Sequence, residues 1–167
     1  MPFSTREARH SDAEALSRVA AQTFALASPA DASASALQSY IHTQLQTTHF
    51  HLHLDNPARQ LRVLEQHGQV IGYSMIDTLP DDLGIVVLEG LPELSRCYVL
   101  PQQHGTGAGQ RLLDDTLAQV AGAVRLTVNE QNARAIGFYQ RNGFHKVGEA
   151  FFQCGPELHR DWVMLRG

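Results

Sequence analysis

The segment "HGTGAGQRLL", residues 104–113, most constrains the fold, because it places three glycines within five positions before an apolar, helix-like run. The preceding residues, "SRCYV", favour a strand, so the glycines join a strand to a helix. Glycines leave successive backbone N–H groups accessible at the start of a helix, where the helix dipole attracts anions. The segment therefore predicts either an anion-binding loop or a tight turn that holds no ligand.

Two familiar nucleotide-binding motifs do not fit this segment. A Walker A loop ends in Gly-Lys-Ser/Thr, but Gly109 is followed by Gln110. A dinucleotide fingerprint needs G-x-G-x-x-G, yet the third glycine position holds Gln110 when counted from Gly105 and Leu112 when counted from Gly107. A Rossmann domain also normally opens with its glycine loop, whereas only 58 residues follow Gly109.

The sequence before the glycines predicts two helices and several strands. A short extended piece opens the chain, and Ser11 and Glu14 have the spacing of a capping box for a first helix. Apolar residues at helical spacing predict a second helix around residues 37–45. The run "LRVLEQHGQVIGYSMI" predicts a β-hairpin that turns at Gly68. A further extended run, "IVVLEGLPELSRCYVL", leads to the glycines.

The sequence after the glycine helix completes one β-α-β step. The run "VRLTV" favours a short buried strand, Asn132 can cap a further helix, and Gly143 has the position of a C-terminal glycine. Extended runs at residues 144–152 and 162–165 finish the chain. This order predicts an α/β or α+β fold with a mixed sheet, and the length predicts a single domain over residues 1–167.

Composition narrows the expected partners and compartment. With a formal net charge of −4 and a pI near 6.1, nucleic acid is not an expected partner. No apolar run approaches the roughly 20 residues that span a bilayer, and the first residues lack a signal-peptide pattern. Cys97 and Cys154 are too few for a disulfide framework. We therefore expect a cytoplasmic protein with no membrane or nucleic-acid partner. Whether the protein forms a homodimer stays open.

Acidic residues are concentrated between Val63 and Ser95, where Lys and Arg are absent. The acidic residues of this segment are Glu65, Asp77, Asp81, Asp82, Glu89 and Glu93. Such a segment favours either a cationic ligand or an ordinary solvated face, and the sequence leaves both interpretations open.

A second stretch, "LTVNEQNARAIGFYQRNGF" at residues 126–144, follows the glycine helix at the distance of one β-α-β step. Together the two stretches resemble the GNAT superfamily of acyl-CoA-dependent N-acetyltransferases. That family's loop, Q/R-x-x-G-x-G/A, corresponds here to residues 104–109. Its second motif corresponds to Asn132, Ala135, Phe138, Tyr139 and the segment from Arg141 to Phe144.

A subgroup resemblance is carried by three short pieces. The loop spelling "HG-x-G", the strand "ELSRCYV" and the helix ending "FALASP" are similar to the PaiA-type spermidine/spermine N-acetyltransferases. This resemblance, with the acidic segment, favours a polyamine as acceptor.

The family resemblance implies that acetyl-CoA lies between two splayed central strands of a mixed, mostly antiparallel sheet flanked by helices. Backbone groups of Cys97, Tyr98 and Val99 would pair with the pantetheine arm, and a strand amide near Tyr98 or Val99 would stabilise the oxyanion. The pyrophosphate would bind the loop formed by His104, Gly105, Thr106, Gly107, Ala108, Gly109 and Gln110. His104 departs from the family's Gln or Arg, and a neutral imidazole would hold phosphate less well.

The resemblance also implies catalytic residues. Tyr139 is the candidate to protonate the leaving thiolate, since its ordinary pKa of about 10 suits an alkyl thiol. Asn132 lies on the same face of the helix as Tyr139, about 10 Å away along the helix axis, where it would hydrogen-bond pantetheine. A Tyr139 packed only between helix and sheet is the alternative. Glu93 is the candidate general base, with Glu89 or a purely structural Glu93 as alternatives.

Two further features are expected to have no catalytic or metal-binding role. The run "HFHLH", residues 49–53, brings three histidines together, but no nearby cysteine or second cluster completes a tetrahedral set, so we expect no metal. Cys97 lies near the expected thioester without a His–Asn pair to activate it, so its side chain is expected to be a small buried group.

We therefore predict an enzyme that moves an acetyl group from acetyl-CoA to a primary amine of a small molecule, with a polyamine as the favoured acceptor. Acetylation of a protein N-terminus, a lysine or an aminoglycoside is the alternative within the enzyme class. A module that senses acyl-CoA without turnover is the alternative from another class, and the presence of Tyr139 favours catalysis.

Overall fold

The computed structural model describes residues 3–167. Its strands are β1 (Phe3–Glu7), β2 (Arg59–Gln66), β3 (Gln69–Asp77), β4 (Glu93–Val99), β5 (Val124–Asn129), β6 (Phe144–Cys154) and β7 (Glu157–Arg166). Its α-helices are α1 (Ala13–Ala27), α2 (Ala34–Gln44), α3 (Thr47–Asp55), α4 (Ala108–Leu117) and α5 (Ala133–Arg141). No helix in this range is long and apolar enough to cross a bilayer.

The strands form one seven-stranded sheet in the order β1-β2-β3-β4-β5-β7-β6. Every neighbouring pair is antiparallel except β4 and β5, which are parallel and share a single register pair, Glu93 with Arg125. Beyond that pair the two strands diverge. The structure therefore confirms the predicted mixed, mostly antiparallel sheet with splayed central strands and flanking helices.

Helices cover both faces of the sheet. Val63 on β2 packs in one buried cluster with Phe50 of α3 and side chains of α1. The next residue, Leu64, packs in a different cluster with Leu112 of α4. Because successive strand residues point to opposite faces, α1 and α3 lie on one face and α4 on the other. A third cluster joins α4 and α5 to the central strands through Leu113, Ile136 and their neighbours.

Several local predictions from the sequence are confirmed. The hairpin of β2 and β3 turns at Gly68, which has φ +75°. The Asn132 side chain caps α5 by accepting a hydrogen bond from the Ala135 N–H at 3.2 Å. Gly143, directly after the end of α5, has φ +89°, a backbone conformation that favours glycine at a helix C-terminus.

The capping box predicted for Ser11 and Glu14 is wrong. Helix α1 begins at Ala13, one turn of 3₁₀-helix after Arg9, and the preceding residue is Asp12. The Asp12 carboxylate accepts the Arg9 N–H at 2.7 Å and pairs with the Arg6 guanidinium at 2.8 Å. The ion pair with Arg6 on β1 therefore fixes where the chain turns into the helix, a tertiary contact that local spacing does not reveal.

Two further features were not predicted. Residues 47–55 form α3, although the run "HFHLH" within it alternates polar and apolar residues, a pattern that is typical of a strand. In addition, β4 contains a β-bulge, because Met75 pairs with Arg96 while Ile76 pairs with Leu94, which leaves Ser95 as an extra residue. Because of the extra residue, side chains after the bulge point to the face of the sheet opposite to the one that unbroken alternation would give them.

Substitution of Gly72 tests how closely the backbones of β3 and β4 must approach each other. A Cβ at this position would lie 2.8 Å from both the Tyr98 carbonyl oxygen and the Val99 Cγ1 atom. We expect Gly72→Ala to lower the free energy of unfolding by about 1–3 kcal/mol, because the strand backbone must move. Denaturant unfolding measures the effect.

Gly137→Ala is the matched control for that measurement. Its new Cβ meets only the mobile end of Arg141, at 3.2 Å, inside α5. Alanine is the better helix former, so stability should rise by roughly 0.5–1 kcal/mol. Equal effects of the two substitutions would contradict the close approach of β3 and β4.

Candidate active site

The gap between β4 and β5 opens into a cavity of about 470 Å³, called the cleft below. Its walls include residues 95–99 of β4, residues 127–129 of β5, one side of α5 and the end of α1. The cleft lies where two central strands have separated, so an extended ligand can pair with the exposed strand edge there.

The backbone of β4 offers hydrogen-bond donors to the cleft. The Leu100 N–H bonds the Ile71 carbonyl at 2.8 Å, and Leu100 continues the pairing of β4 with β3. Because N–H groups alternate in direction along an antiparallel strand, the amides of Cys97 and Val99 point away from β3 and into the gap. This edge matches the part of β4 that the sequence assigned to pantetheine.

The loop before α4 carries a cluster of free backbone amides. Within residues 3–167, the N–H groups of Gly105, Gly107, Gly109 and Gln110 have no backbone acceptor. Gly105 and Gly107 have φ values of +79° and +89°, and the space where their Cβ atoms would project is open. These four unpaired donors at the N-terminus of a ten-residue helix are a geometry that suits an anion.

The side chains around the cleft are more basic than acidic. Arg96, Arg134, Arg141, His104 and His159 line it, together with one carboxylate, Asp161. Burial and the nearby Arg134 charge lower the pKa of His104, so its imidazole is neutral at pH 7. The sequence-based expectation of a neutral His104 thus agrees with its surroundings.

Tyr139 and Asn132, both on or at the start of α5, line the cleft. The Tyr139 ring packs against Phe144 with ring centroids 5.5 Å apart, and the side chain is 8% exposed. Its hydroxyl forms no hydrogen bond with another described residue. Burial, with smaller effects of Cys97 and Tyr98, raises the pKa of Tyr139 well above its ordinary value, which keeps the hydroxyl protonated.

The Cys97 thiol is unreactive in this environment. Its side chain packs against both clusters that contain α4 residues. Burial raises the pKa of Cys97 to about 12, so the thiolate is not populated near neutral pH.

Glu93 lies at the closed end of the gap, outside the set of described residues that line the cleft. Its carboxylate pairs with the Arg125 guanidinium at 3.2 Å, at the one point where β4 and β5 touch. Burial raises the pKa of Glu93, and Arg125 opposes that shift. Glu89, the alternative base, is also absent from the lining. This geometry favours a structural role for Glu93 and another carboxylate as proton acceptor.

Asp161 on β7 is a cleft residue that sequence reasoning missed. It is 9% exposed and pairs in register with Asn129 of β5. Burial raises the pKa of Asp161 to about 6, although His159, Thr127 and the Asn129 side chain lower it and Glu130 adds to the rise. No local motif marks Asp161, since its place depends on β7 pairing with β5.

Apart from Glu93, the residues predicted for the site divide into two groups. Those that line the cleft are Cys97, Tyr98, Val99, His104, Gly109, Asn132 and Tyr139. Those in the loop at its edge are Gly105, Thr106, Gly107, Ala108 and Gln110. Ala108 buries its side chain beneath the loop, while the Gln110 amide hydrogen-bonds Asp114 and Asn142. Any contact of this second group with a ligand would therefore come mainly from the backbone.

The histidines of "HFHLH" lie on α3. Burial, Arg96 and Arg59 together lower the pKa of His53 to about 4, so this imidazole is neutral. The part of the chain that the structure describes contains no group of three or more His, Cys, Asp or Glu side chains placed to hold a metal ion.

A comparison with protein families identifies the fold's relatives. The family model described as an acetyltransferase (GNAT) domain matches residues 25–160. The chain belongs to the GNAT family of acetyltransferases. The match includes the glycine loop, the strands on both sides of the β4–β5 gap and Tyr139, whereas Asp161 and the part of α1 before residue 25 lie outside it.

Three similar proteins are also named as N-acetyltransferases. The chain is 36% identical over 159 residues to the uncharacterized N-acetyltransferase Rv2669 of Mycobacterium tuberculosis, which covers 93% of this chain and 97% of that protein. It is 32% identical over 68 residues to the peptidyl-lysine N-acetyltransferase YjaB of Escherichia coli, covering 41% and 45%. The PaiA N-acetyltransferase of Thermoplasma acidophilum, solved with coenzyme A, shares the fold with a TM-score of 0.80, 19% identity and 99% coverage of both chains.

The free amides before α4 can be tested with alanine at Gly107. Its φ of +89° is strained for alanine although space is open, so the substitution should shift the loop and displace its N–H groups. We expect Gly107→Ala to weaken coenzyme A binding about tenfold or more in calorimetric titration.

Gly122→Ala provides the matched control. Gly122 has φ +102°, equally open space and a place outside the cleft. Both variants should lose similar thermal stability, but only Gly107→Ala should lose affinity. Equal affinity in the two variants would show that the loop amides do not hold the ligand.

Proposed function

We propose that this GNAT protein is an enzyme that transfers the acetyl group of acetyl-CoA to the primary amine of a small molecule. The observation that carries this proposal is Tyr139, which lines the same cleft as the β4 edge and whose hydroxyl is protonated and has no hydrogen-bond partner within residues 3–167. A proton donor in that place serves a leaving thiolate and has no evident use in a module that only binds acyl-CoA.

The residues present fit acetyl-CoA. The free amides before α4 suit its pyrophosphate, and the Cys97 and Val99 amides suit an extended pantetheine arm. Arg134 and Arg141 add positive charge along the same wall. Acetyl-CoA supplies a thioester, whose carbonyl carbon gains the bond to the amine nitrogen and loses the bond to sulfur.

Asp161 is the proposed proton acceptor in place of Glu93. The acceptor amine is an ammonium ion at pH 7 and must lose a proton before its nitrogen can attack. A carboxylate with a pKa of about 6 is ionised at pH 7 yet basic enough to accept that proton, directly or through water, and pass it to solvent.

The remaining proton transfers involve β4 and α5. The Val99 or Cys97 amide donates a hydrogen bond to the carbonyl oxygen as negative charge develops on it. Tyr139 gives its hydroxyl proton to the departing sulfur, and its phenolate regains a proton from the nitrogen, which must lose a second one to become an amide. The sum is an N-acetylated amine, free coenzyme A and one proton released to solvent.

The charge around the cleft weakens the case for a polyamine. None of the six acidic residues between Val63 and Ser95 lines the cleft. Three of them pair with arginines instead: Glu65 with Arg6, Asp77 with Arg59 and Glu93 with Arg125. Peptide and lysine acceptors remain alternatives, and YjaB, a peptidyl-lysine N-acetyltransferase, is a relative that matches less than half of this chain.

Tyr139→Phe tests the proton donor. The hydroxyl forms no protein hydrogen bond, so its loss should leave the fold and the affinity for acetyl-CoA unchanged. Without the donor, kcat should fall about 100-fold or more in a free-thiol assay. An unchanged kcat would remove Tyr139 from the chemistry and favour the acyl-CoA sensor.

Asp161→Asn tests the proton acceptor through pH. In the wild type, kcat/KM should fall as the pH drops through about 6, because Asp161 becomes protonated. The variant should be about 100-fold slower at pH 7 and lose this inflection. Glu130→Gln removes a nearby charge but keeps Asp161, so it should stay active with the inflection shifted slightly downward.

The same variant should differ in stability. The folded-state pKa of Asp161, about 6, exceeds the ordinary value of 3.8, so ionisation destabilises the folded state. The thermal stability of Asp161→Asn relative to wild type should therefore rise between about pH 4 and pH 6 and stay constant above. A variant that is slower and also less stable at pH 7 would indicate a structural role.

A further inference from the structure

Arg96 is a half-buried cation without a counter-ion among the residues that the structure describes. Its Nη1 atom is inaccessible to solvent and has no hydrogen-bond partner among the described residues. None of the ion pairs in residues 3–167 includes it. Its guanidinium lies over the Phe50 ring, 5.5 Å from the centroid, and its side chain lines the cleft.

The surroundings of Arg96 are aromatic and neutral. The phenols of Tyr40, Tyr73 and Tyr98 lie near the guanidinium, and the nearby His53 imidazole is neutral. Tyr40 stacks on Phe24 with centroids 4.3 Å apart, and Phe152 lies against both rings. A guanidinium stays charged in any environment, so this wall carries one uncompensated positive charge.

Arg96 faces away from the loop that is proposed to hold pyrophosphate. Cys97 packs against α4 residues, whereas its neighbour Arg96 contacts Phe50 of α3 on the opposite face of the sheet. The anion that Arg96 lacks is therefore not the pyrophosphate. It belongs to a ligand that enters from the face covered by α1, α2 and α3.

The Phe50 ring and the phenols of Tyr40 and Tyr73 partly stabilise the Arg96 charge, but none of them is an anion. A desolvated cation of this kind pairs favourably with an anionic group that enters the cleft. One arginine without a second cation beside it matches a single negative charge rather than a doubly charged phosphate, and its planar fork fits a carboxylate with two parallel hydrogen bonds. The rings of Phe24, Tyr40 and Phe152 favour an apolar remainder on the same ligand.

We infer that the acetyl acceptor carries a carboxylate that pairs with Arg96, and that it is a free amino acid with an apolar or aromatic side chain. This inference rests on the proposed function and names its substrate class. The Arg96 charge disfavours a polycation such as spermidine, because like charges repel. The amine of the amino acid would face the other wall of the cleft, where Asp161 lies.

The test compares amines that differ only in the carboxylate. A free-thiol assay with acetyl-CoA uses the amino acids other than cysteine, whose own thiol would give a signal, and three decarboxylated counterparts: phenethylamine for phenylalanine, isopentylamine for leucine and 3-(methylthio)propylamine for methionine. Spermidine and a lysine peptide complete the panel. We expect at least one of these three amino acids to show kcat/KM about 100-fold above its counterpart.

Substitution of Arg96 then tests the contact itself. Arg96→Met keeps the length of the side chain and removes the charge, so the advantage of the amino acid should disappear while its decarboxylated counterpart changes less than about threefold. Arg96→Lys should retain part of the advantage. Arg134→Met, at the other cationic wall, should keep the ratio between the two members of each pair. If Arg96→Met does not fold, Arg96→Gln replaces it.

The outcomes separate this inference from the proposed function. Calorimetry with acetyl-CoA comes first, and absence of binding would overturn both. With binding present, equal rates within each pair, preference for spermidine or the peptide, or no turnover of any amino acid would overturn the carboxylate assignment alone. Equal losses for both members of a pair in Arg96→Met would also overturn it, because Arg96 would then only maintain the shape of the cleft.

Discussion

The single register pair between β4 and β5, Glu93 with Arg125, is the constraint on which the site depends. Arg125 is buried, with 5% of its side chain exposed, and pairs with Glu93 while its backbone N–H bonds the Pro92 carbonyl. Its guanidinium also bonds the Asp81 carbonyl. A buried ion pair adds little net stability but fixes a particular arrangement of its two elements. Here it holds two parallel strands together at one end, and their divergence beyond it leaves the β4 edge unpaired and opens the cleft.

Two electropositive places, the free amides before α4 and the Arg96 guanidinium, then favour anionic ligands in the cleft. The free amides before α4 lie on the face that α4 covers, and Arg96 lies on the face covered by α1 and α3. Two anionic ligands can therefore approach from opposite faces of the sheet and meet between the strands. Tyr139 and Asp161 line this same space, so a donor and an acceptor of protons are available where the ligands meet.

The sequence predicted the features that local rules govern and missed those that depend on the sheet. The glycine loop, the Asn132 cap and the Gly68 turn each follow from a few consecutive residues. Asp161 becomes a cleft residue only because β7 pairs with β5. Arg96 was missed for a different reason: unbroken alternation places it on the face of Leu94, among the α4 and α5 contacts, and the bulge at Ser95 turns it to the other face.

The contrast among the arginines shows what distinguishes the cleft from the rest of the chain. Arg6 has two carboxylate partners, Asp12 and Glu65, and the buried Arg125 has Glu93. In these two cases the fold supplies counter-ions to arginines that join its elements. Within residues 3–167 Arg96 has none, although its Nη1 atom is inaccessible to solvent, and the Asp161 carboxylate is likewise held at a raised pKa rather than paired with an arginine. Because unpaired charges of opposite sign destabilise the empty protein, their presence in one cavity is best explained by a ligand that carries both complementary charges.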